Sequence, residues 1–463
     1  MKRLYYIIGI SLLLAACNKF GDMNVNPNLP SKTSSTQLIA NAELYLPVLG
    51  ESPQAEYFAQ YLSETQYPNL SLYNQVSANF YSMYYGPLMN LDSVIRTTSM
   101  DANEGPIPNQ LAVASILKAY FFWHITDRWG DVPYTEALKG RANTTPAYDP
   151  QSVIYDSLFL LLDRADKSIV AGDIINDIIY QGNMTRWKKL GNTIRLLMAL
   201  RLSAAAPEKA KTEFNKALTA GIMTSNADNF VFSHLAEAAN ESYWYDQITD
   251  QNRKWWALSE SLVSKMKPVN DPRLPVYGDK NSAGQYVGLP YGATTGLSTT
   301  AYSLLGAEIR KQNANVYLVT YAQALFAKAE AAKLGWIPDG DVAAEANYKM
   351  AIEHSIRQWK NNDTTGYGAM MASAGMPYVA ANGYEQIGNQ RWVHLFMHGF
   401  EAWAEWRRTG FPAGLIKPDG KDVPLRQGYP QDEVFNNKTH YEDAVKRQFP
   451  GGDNLYGRLW WDK

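Results

Sequence analysis

The sequence has 463 residues, 46% hydrophobic and 19% charged, so it is long and apolar enough to bury a large core. Its formal net charge is −2, and it becomes −4 after residue 16, with 41 Lys plus Arg against 45 Asp plus Glu. This charge balance lacks the excess of Lys and Arg that proteins use to bind nucleic acids and anionic lipids, so no nucleic-acid partner is expected. The 30 Tyr and 13 Trp together outnumber the 15 Phe. This excess favours aromatic side chains that combine an apolar ring face with a polar, solvent-accessible edge.

The first residues have the order of a lipoprotein leader. Lys2 and Arg3 form a basic start, an apolar run follows from Leu4 to Leu14, and small residues then precede Cys17. The run is too short to span a bilayer, which needs about 20 residues. Cys17 is the single cysteine, so it has no disulfide partner within this sequence. We expect a signal peptide at 1–16 and lipidation of Cys17 as a membrane anchor, with an ordinary signal peptide as the alternative.

Helical patterns follow a polar segment at 17–35, which is expected to be an extended tether. The periodicity of apolar residues predicts helices in this order: 36–48, 52–65, 77–97, a helix capped by Asn109 that runs to Thr126, 151–170, 184–205 and 207–218. Pro207 is a favoured first residue of a helix, which supports the last boundary.

Two later segments have the pattern of a closely packed helix pair. One apolar stripe recurs at helical spacing: Leu318, Ala322, Leu325, Ala329 and Ala332. Thr320, Gln323 and Glu330 are expected on the opposite face. After Gly335 and Pro338 a second helix carries small and large residues in the same phase: Ala344, Tyr348, Ala351, Ser355 and Trp359. This alternation is typical of tetratricopeptide helix pairs, and a plain helical bundle is the alternative.

Three long stretches differ from the helical segments in composition and are rich in Asn, Gly, Ser and Tyr. They are 222–315, with one helical patch near 254–267, then 360–388 and 410–463. Such stretches are too long for simple connections, so they are expected to form one irregular, ligand-binding lobe. The helical scaffold is expected at about 36–221 and 316–359, plus a helix at 389–409. The sequence thus predicts a mostly α, single-domain fold over 36–463, with tetratricopeptide-like helix pairs and a large loop-rich lobe.

Few local patterns point to catalysis or metal binding. His394, His398 and Glu401 share one face of a probable helix, but the HExxH signature of zinc proteases is absent. These residues are therefore interpreted as packing residues, and no metal or other cofactor is expected. Gly414 to Lys421 lacks the spacing of a phosphate-binding loop. Two carboxyl groups for glycoside cleavage could converge from anywhere, so a surface hydrolase stays open as an alternative.

Aromatic side chains in the loops are the best candidates for ligand contact. Several Tyr and Trp residues lie next to Asn or Asp: Tyr67, Tyr73, Asn74, Tyr243, Trp244, Tyr245, Asp246, Tyr286 and Tyr291. Trp255 and Trp256 follow soon after the 243–246 group. An aromatic ring covers the C–H face of a sugar, while amide and carboxylate groups satisfy its hydroxyls. The alternative is that most of these rings pack the lobe against the helices.

Several strings in chain order resemble one family. They are DRWGDVPY at Asp127–Tyr134, NDPRLP at Asn270–Pro275, GLPYG at Gly288–Gly292, YAQALFAKAEAAKLGW at Tyr321–Trp336, HGFEAWAEWRRTGFP at His398–Pro412 and GGDNLYGRLWWD at Gly451–Asp462. Together they are similar to the SusD/RagB family of nutrient-binding lipoproteins, and to its SusD-like type 2 branch. The resemblance spans essentially the whole chain after Cys17.

The resemblance implies a role as well as a fold. Such proteins have four tetratricopeptide-like helix pairs that support an irregular lobe. They are held at the outer membrane by a lipidated cysteine, here Cys17, and face the cell exterior. They act without catalysis as a lid that delivers an oligosaccharide to a SusC-like TonB-dependent transporter. A lid that binds peptide is the closest alternative. A surface glycoside hydrolase and a scaffold that only assembles other proteins are the more distant ones.

Overall fold

A computed structural model describes residues 33–74 and 77–463. The expected signal peptide, Cys17 and all of the tether up to residue 32 lie outside the described residues. The α-helices of eight residues or more in the described ranges are α1 (Ser35–Glu43), α2 (Met89–Arg96), α3 (Ile107–Trp129), α4 (Gln151–Ser168), α5 (Met184–Arg201), α6 (Pro207–Ala220), α7 (Tyr321–Lys333), α8 (Gly340–Trp359), α9 (Gly383–His394), α10 (Gly399–Thr409) and α11 (Lys438–Gln448). Among these residues, none of the helices combines the length and the apolarity needed to cross a bilayer.

Shorter elements connect these helices. The short helices are Pro47–Gly50, Pro53–Phe58, Tyr81–Met83, Tyr243–Tyr245, Glu260–Met266, Leu274–Tyr277, Tyr367–Met371 and Gln431–Asn436, with π turns at Tyr84–Leu88 and Asp246–Asp250. The strands are β1 (Leu62–Glu64), β2 (Val132–Pro133), β3 (Tyr148–Asp149), β4 (Phe230–Ser233), β5 (Trp256–Leu258) and β6 (Asn315–Val319). They form three antiparallel pairs, β1 with β5, β2 with β3 and β4 with β6.

Consecutive helices pack in pairs, as the periodicity predicts. α3 packs on α4, α5 on α6 and α7 on α8, and α1 packs on the later α2. The small residues of the predicted stripe are fully buried between α7 and α8, where Ala329 and Ala351 let the two backbones approach. The fold is therefore mostly α, with tetratricopeptide-like helix pairs, and this prediction is confirmed.

Apolar side chains form three clusters. The largest fills the space between α1 to α6 and extends to Tyr429, Phe449 and Trp461 near the carboxyl end. The second holds the aromatic residues of the lobe, and the third lies between α7, α8 and the 367–376 segment. The 410–463 stretch therefore does not stay in the lobe, because its last part, including α11, packs on the first helices. The expected helix at 389–409 is two helices, broken before Gly399.

Two expected helix boundaries are wrong. α3 begins at Ile107, and Asn109 does not cap it; the Asn109 amide instead holds the 170–172 loop, with Nδ2 donating to Gly172 O at 2.6 Å. The helix expected over 52–65 ends at Phe58, and the chain turns at Gln60, whose φ is +57°, into β1. The partner of β1 is β5, far along the chain, so local periodicity could not reveal this strand.

Acidic and basic side chains form a network in the interior where the helices meet. Arg201 of α5 has no solvent exposure and donates from Nη2 to both oxygens of Glu401 at 2.7 Å. Its Nε lies 3.4 Å from Asp127 Oδ2, and its Nη1 lies 3.4 Å from Glu405 Oε1. Asp127 belongs to the DRWGDVPY string and the two glutamates to HGFEAWAEWRR, so both family motifs meet at Arg201.

The network continues to Glu330 of α7. Arg408 donates to Glu330 Oε1 at 2.6 Å and to Glu405 Oε2 at 2.7 Å, and Arg391 lies 3.0 Å from Glu330 Oε2. Glu330 is thus buried, contrary to the expectation of an outward polar face, because arginines from α9 and α10 lie against it. Burial raises the pKa of the Glu405 carboxyl, but Arg408, Arg391 and Arg201 outweigh burial and hold it below its ordinary value.

The histidines of the possible metal triad have packing roles. His394 Nε2 lies 2.7 Å from the Thr320 hydroxyl and its Nδ1 lies 2.9 Å from the Ser355 hydroxyl. His398 stacks on His124 with ring centroids 5.4 Å apart. Burial lowers the pKa of His394 to about 3, so this ring is neutral near pH 7. Glu401 is bound to Arg201, and the described residues contain no group of three side chains that could hold a metal ion.

Replacement of Arg201 tests the buried network. Arg201→Met leaves buried carboxylates without their guanidinium partner, so the free energy of unfolding should fall by about 3–5 kcal/mol. The matched control is Arg357→Met, which removes an ion pair to Glu353 within one helix at a partly exposed position. The control should cost at most about 1 kcal/mol. Urea unfolding followed by circular dichroism measures both, and equal losses would contradict a special role for Arg201.

Glu56 predicts a dependence of stability on pH. Its side chain is fully buried and its Oε1 accepts the Gly399 amide at 2.9 Å, and burial raises its pKa to about 8. Between pH 4.5 and 8 the folded chain keeps this proton and the unfolded chain loses it, so this group makes stability fall as pH rises. Glu56→Gln is neutral at every pH and should gain about 1.4 kcal/mol per pH unit on the wild type in this range.

Urea midpoints of wild type and Glu56→Gln, measured from pH 5 to 9, check this expectation. The difference should level off above about pH 8, where the folded state has also lost its proton. Glu208→Gln, at an exposed position of α6, is the control and should follow the wild-type curve. A difference between wild type and Glu56→Gln that does not change with pH would contradict the prediction.

Candidate ligand-binding site

Three of the candidate rings are buried in the core of the lobe. Tyr73, Trp244 and Tyr291 are exposed by only 4%, 2% and 5%. The Tyr73 hydroxyl accepts from Gln60 Nε2 at 2.9 Å, and the Tyr291 hydroxyl donates to the Tyr57 carbonyl at 2.8 Å. Such rings have no free face for a sugar. The expectation that they stack on a ligand is corrected here: they pack the lobe, as the alternative interpretation stated.

Tyr67 and Trp255, by contrast, form a corner at the surface. Tyr67 is 49% exposed, and its ring stands at 89° to the Trp255 ring with centroids 5.0 Å apart. The guanidinium of Arg253 lies 4.4 Å from the centre of a Trp255 ring. A perpendicular pair of rings with a cation beside it presents an apolar wall and hydrogen-bond donors to the same volume.

The pairing of β1 with β5 positions Trp255 at this corner. Glu64 is opposite Trp256, and the Thr65 amide donates to the Trp255 carbonyl at 2.8 Å. Side chains of a strand alternate between its two faces, so Trp256 points into the core, where its Nε1 donates to the Tyr57 hydroxyl at 2.8 Å. The adjacent Trp255 is only half-buried. Two neighbouring tryptophans thus have opposite roles, packing and exposure.

A tight 3₁₀ turn at Pro68–Leu72 links Tyr67 to Asn74. Tyr73 closes this turn in the left-handed region, with φ at +54°, and its ring points inward. Asn74 is exposed, and its Oδ1 accepts from Lys421 Nζ at 2.5 Å. We name the 67–74 surface as residues 67–74 together with Arg253, Trp255 and Lys421. It combines one half-exposed ring with amide and cationic groups.

A cavity of about 360 Å³ adjoins Arg253. It is lined by Ile248, Thr249, Asn252, Arg253, Lys254, Trp256, Asp279, Leu304, Leu305 and Arg310. Asp279 and Arg310 form an ion pair in its wall. A volume of this size is at the lower end of the range for ligand pockets, about 300–1,000 Å³. The 67–74 surface therefore continues into a concave region.

The 243–246 group lies beside the corner formed by Tyr67 and Trp255, and its side chains are more buried or engaged than Tyr67. Tyr243 is half-buried, with its ring 5.2 Å from Trp244 and 6.4 Å from Trp256. Tyr245 is also half-buried, at the start of the π turn. The Asp246 carboxylate accepts from Gln247 Nε2 at 2.7 Å and Gln251 Nε2 at 2.9 Å. Asp246 is thus occupied by local contacts, and Tyr243 and Tyr245 keep part of their surface free.

Tyr286 is on a separate loop. Its carbonyl accepts from Lys267 Nζ at 3.0 Å, and Lys280 Nζ lies 5.8 Å from its ring. Among the described residues no ring contact joins Tyr286 to the 67–74 surface. The structure thus places Tyr67 against Trp255, the 243–246 group against the neighbouring Trp256, and Asn74 at the far end of the turn from Tyr67; Tyr286 is on a separate loop.

Sequence reasoning missed three groups of this site. Arg253 and Lys421 were not singled out, although the Arg-Lys-Trp-Trp run at 253–256 places cations beside rings and could have indicated the first. Glu64 is the third: it is almost fully buried, receives a hydrogen bond from the Tyr57 hydroxyl, and lies 3.4 Å from the Tyr67 amide. Burial raises the pKa of this carboxyl. Its role is to hold the corner, because its oxygens are engaged within the protein.

Comparison with known proteins agrees with this architecture. A family model described as starch-binding and associating with the outer membrane matches residues 27–430. A solved chitin-binding protein is 28% identical with a TM-score of 0.81, over 93% of this chain and 100% of that one. A SusD homologue from Bacteroides fragilis is 25% identical with the same TM-score and coverage.

A chitin-binding SusD homologue from Flavobacterium johnsoniae has a TM-score of 0.77 over 93% of this chain and 98% of that one, and at 23% identity it shows the fold alone. No curated protein matches the chain. The family model covers most of the sequence and the fold agrees over nearly all described residues. The chain therefore belongs to the SusD-like family of starch-binding proteins that associate with the outer membrane.

Proposed function

We propose that this chain binds an oligosaccharide at the 67–74 surface and does not cleave it. The observation that carries the proposal is the half-exposed Tyr67 ring, set at 89° to the Trp255 ring, with the Arg253 guanidinium 4.4 Å from the centre of a Trp255 ring. A pyranose ring has a C–H face that an aromatic ring covers and a rim of hydroxyls that Arg253 and Asn74 can bind. The chitin-binding name of the 28% identical protein supports a glycan ligand over a peptide.

Support for a noncatalytic role comes from the state of the nearby carboxyl groups. Glycoside cleavage uses two carboxyl groups that both reach the scissile bond. Glu64 is buried and bound to Tyr57, Asp246 is bound to two glutamines, and Asp279 in the wall of the adjoining cavity is paired with Arg310. These three carboxyls are thus engaged within the protein in this arrangement. Binding alone is the function that these contacts support.

The proposal extends to the place and the partner of the protein. Lipidation of Cys17 would tether the domain to the outer membrane, facing outward, through a segment that ends near Ser35. The bound glycan would then pass to a SusC-like TonB-dependent transporter, over which the domain acts as a lid. The family description, with its association with the outer membrane, supports the location. The pattern of residues 2–17, which is typical of a lipoprotein leader, supports the anchor.

Calorimetry with glycans tests the site. Wild-type protein is titrated with maltooligosaccharides and chitooligosaccharides, which represent the ligands named for the family and the relative, and with peptides of similar length. Tyr67→Ala and Trp255→Ala should each weaken glycan binding about tenfold, or 1.4 kcal/mol, because each removes an apolar wall. Tyr384→Ala, an exposed tyrosine on α9, is the control and should bind as the wild type does. Binding of peptides but of neither glycan would contradict the proposal.

A comparison of two tryptophans separates packing from binding. Trp244→Ala removes a buried ring and should lower the free energy of unfolding by about 3–5 kcal/mol. Trp255→Ala removes a half-buried ring and should lower it by less than half as much, while it weakens glycan binding. Urea unfolding and calorimetry on the same preparations measure the two effects. If Trp244→Ala stayed as stable as the wild type, the assignment of this ring to the core would be wrong.

A further inference from the structure

A cavity of about 600 Å³ lies on the helical scaffold, outside the 67–74 surface. Its walls come from the 80–89 segment, the loop 133–146 and the helix Gln431–Asn436. This volume is well within the range of ligand pockets, about 300–1,000 Å³. None of the residues that line it was a candidate in the sequence, and none contributes to the 67–74 surface.

A π turn shapes one wall of this cavity. Tyr84–Leu88 is inserted between two α-helical segments and contains Pro87, which has no amide hydrogen to donate. Tyr84 turns inward, and its hydroxyl donates to the Pro133 carbonyl at 2.6 Å. The next residue, Tyr85, is 73% exposed. Single π turns of this kind are frequent at functional sites because they redirect one side chain.

Two tyrosines form a platform at the cavity. The rings of Tyr81 and Tyr85 are 6.0 Å apart and inclined by only 30°. The Tyr81 hydroxyl donates to Glu433 Oε1 at 2.5 Å, and the Tyr148 hydroxyl donates to Glu433 Oε2 at 2.6 Å. Glu433 is itself buried and also accepts from Asn437 Nδ2 at 3.1 Å. The Tyr81 ring is therefore held in place without any ligand.

Polar side chains without a partner face the same volume. Arg141, Asp432 and Asn436 line the cavity and are exposed. Within residues 33–74 and 77–463, the side chains of these three make no hydrogen bond or ion pair. They provide free donors and free acceptors next to a tyrosine platform, which is the combination that the faces and the hydroxyls of a sugar require.

We propose that this Tyr85 cavity is a second carbohydrate site, which takes pyranose rings of an oligosaccharide. Tyr85 and Tyr81 cover the C–H face of a ring, and Arg141, Asp432 and Asn436 bind its hydroxyls. The inference rests on the proposed function for its ligand class, but it uses a different surface. Two sites on one chain would let a long glycan be held at two points, which raises its effective concentration at each.

Calorimetry with maltotriose and chitotriose at millimolar concentration tests the second site. The wild type should bind one of these glycans at two sites. The double variant Tyr67→Ala/Trp255→Ala should keep one binding event, and addition of Tyr85→Ala to it should weaken that event at least tenfold. Tyr384→Ala in the same background is the control and should change nothing. Tyr85 is exposed, so Tyr85→Ala should leave the circular dichroism spectrum and the unfolding midpoint unchanged.

The outcomes distinguish the two proposals. If the wild type binds a glycan and Tyr67→Ala/Trp255→Ala abolishes all binding, the second site is overturned and the proposed function stands. The second site is also overturned if Tyr85→Ala leaves the remaining binding unchanged. If the wild type binds neither trisaccharide nor any longer glycan, the proposed function fails and the second site fails with it.

Discussion

Arg201 of α5 holds carboxyl groups from α3 and α10 in the interior, and the rest of the fold is arranged around these contacts. Its partners Asp127, Glu401 and Glu405 come from α3 and α10, and Glu405 passes the contacts on to Glu330 of α7. Buried charges are tolerated only when each has its partner. A helix that docks out of place therefore leaves a buried charge unpaired, which strongly destabilises the folded state. The network thus disfavours other arrangements of the helix pairs.

Helix existence could be predicted from the sequence because it depends on neighbours three and four residues apart. The stripe through Ala329 is of this kind, while the start of α6 at Pro207 follows from the fixed φ of proline. The position of Glu330 could not be predicted, because the arginines that surround it come from segments distant in the chain. A polar residue on a predicted helix is therefore expected to be exposed unless its distant, buried partner is known.

The same limit, that contacts between distant segments are not visible in the sequence, applies to the candidate site. The sequence indicated rings beside amides, but it could not separate Trp255 from Trp256, which have the same chemistry and are adjacent. Strand pairing decides between them: one ring enters the core and the other stays at the surface. Tyr67 was a candidate because it flanks a loop that contains Asn residues, while Lys421 had no local signal. At the two proposed sites the contacts of Tyr67 and Tyr81 exist without a ligand, so binding there would lose little entropy in ordering these rings.

Trp461 has a consequence for the order in which the chain can fold. Its buried ring lies 5.3 Å from the guanidinium of Arg201 and 4.7 Å from that of Arg407, and so covers the charges that join the first helices to α10. Trp461 follows α3 and α5 far along the chain, so its ring can cover Arg201 only after those helices have been synthesised. Arg201 therefore stays hydrated until the segment around Trp461 docks, and burial of the network is a late step of folding.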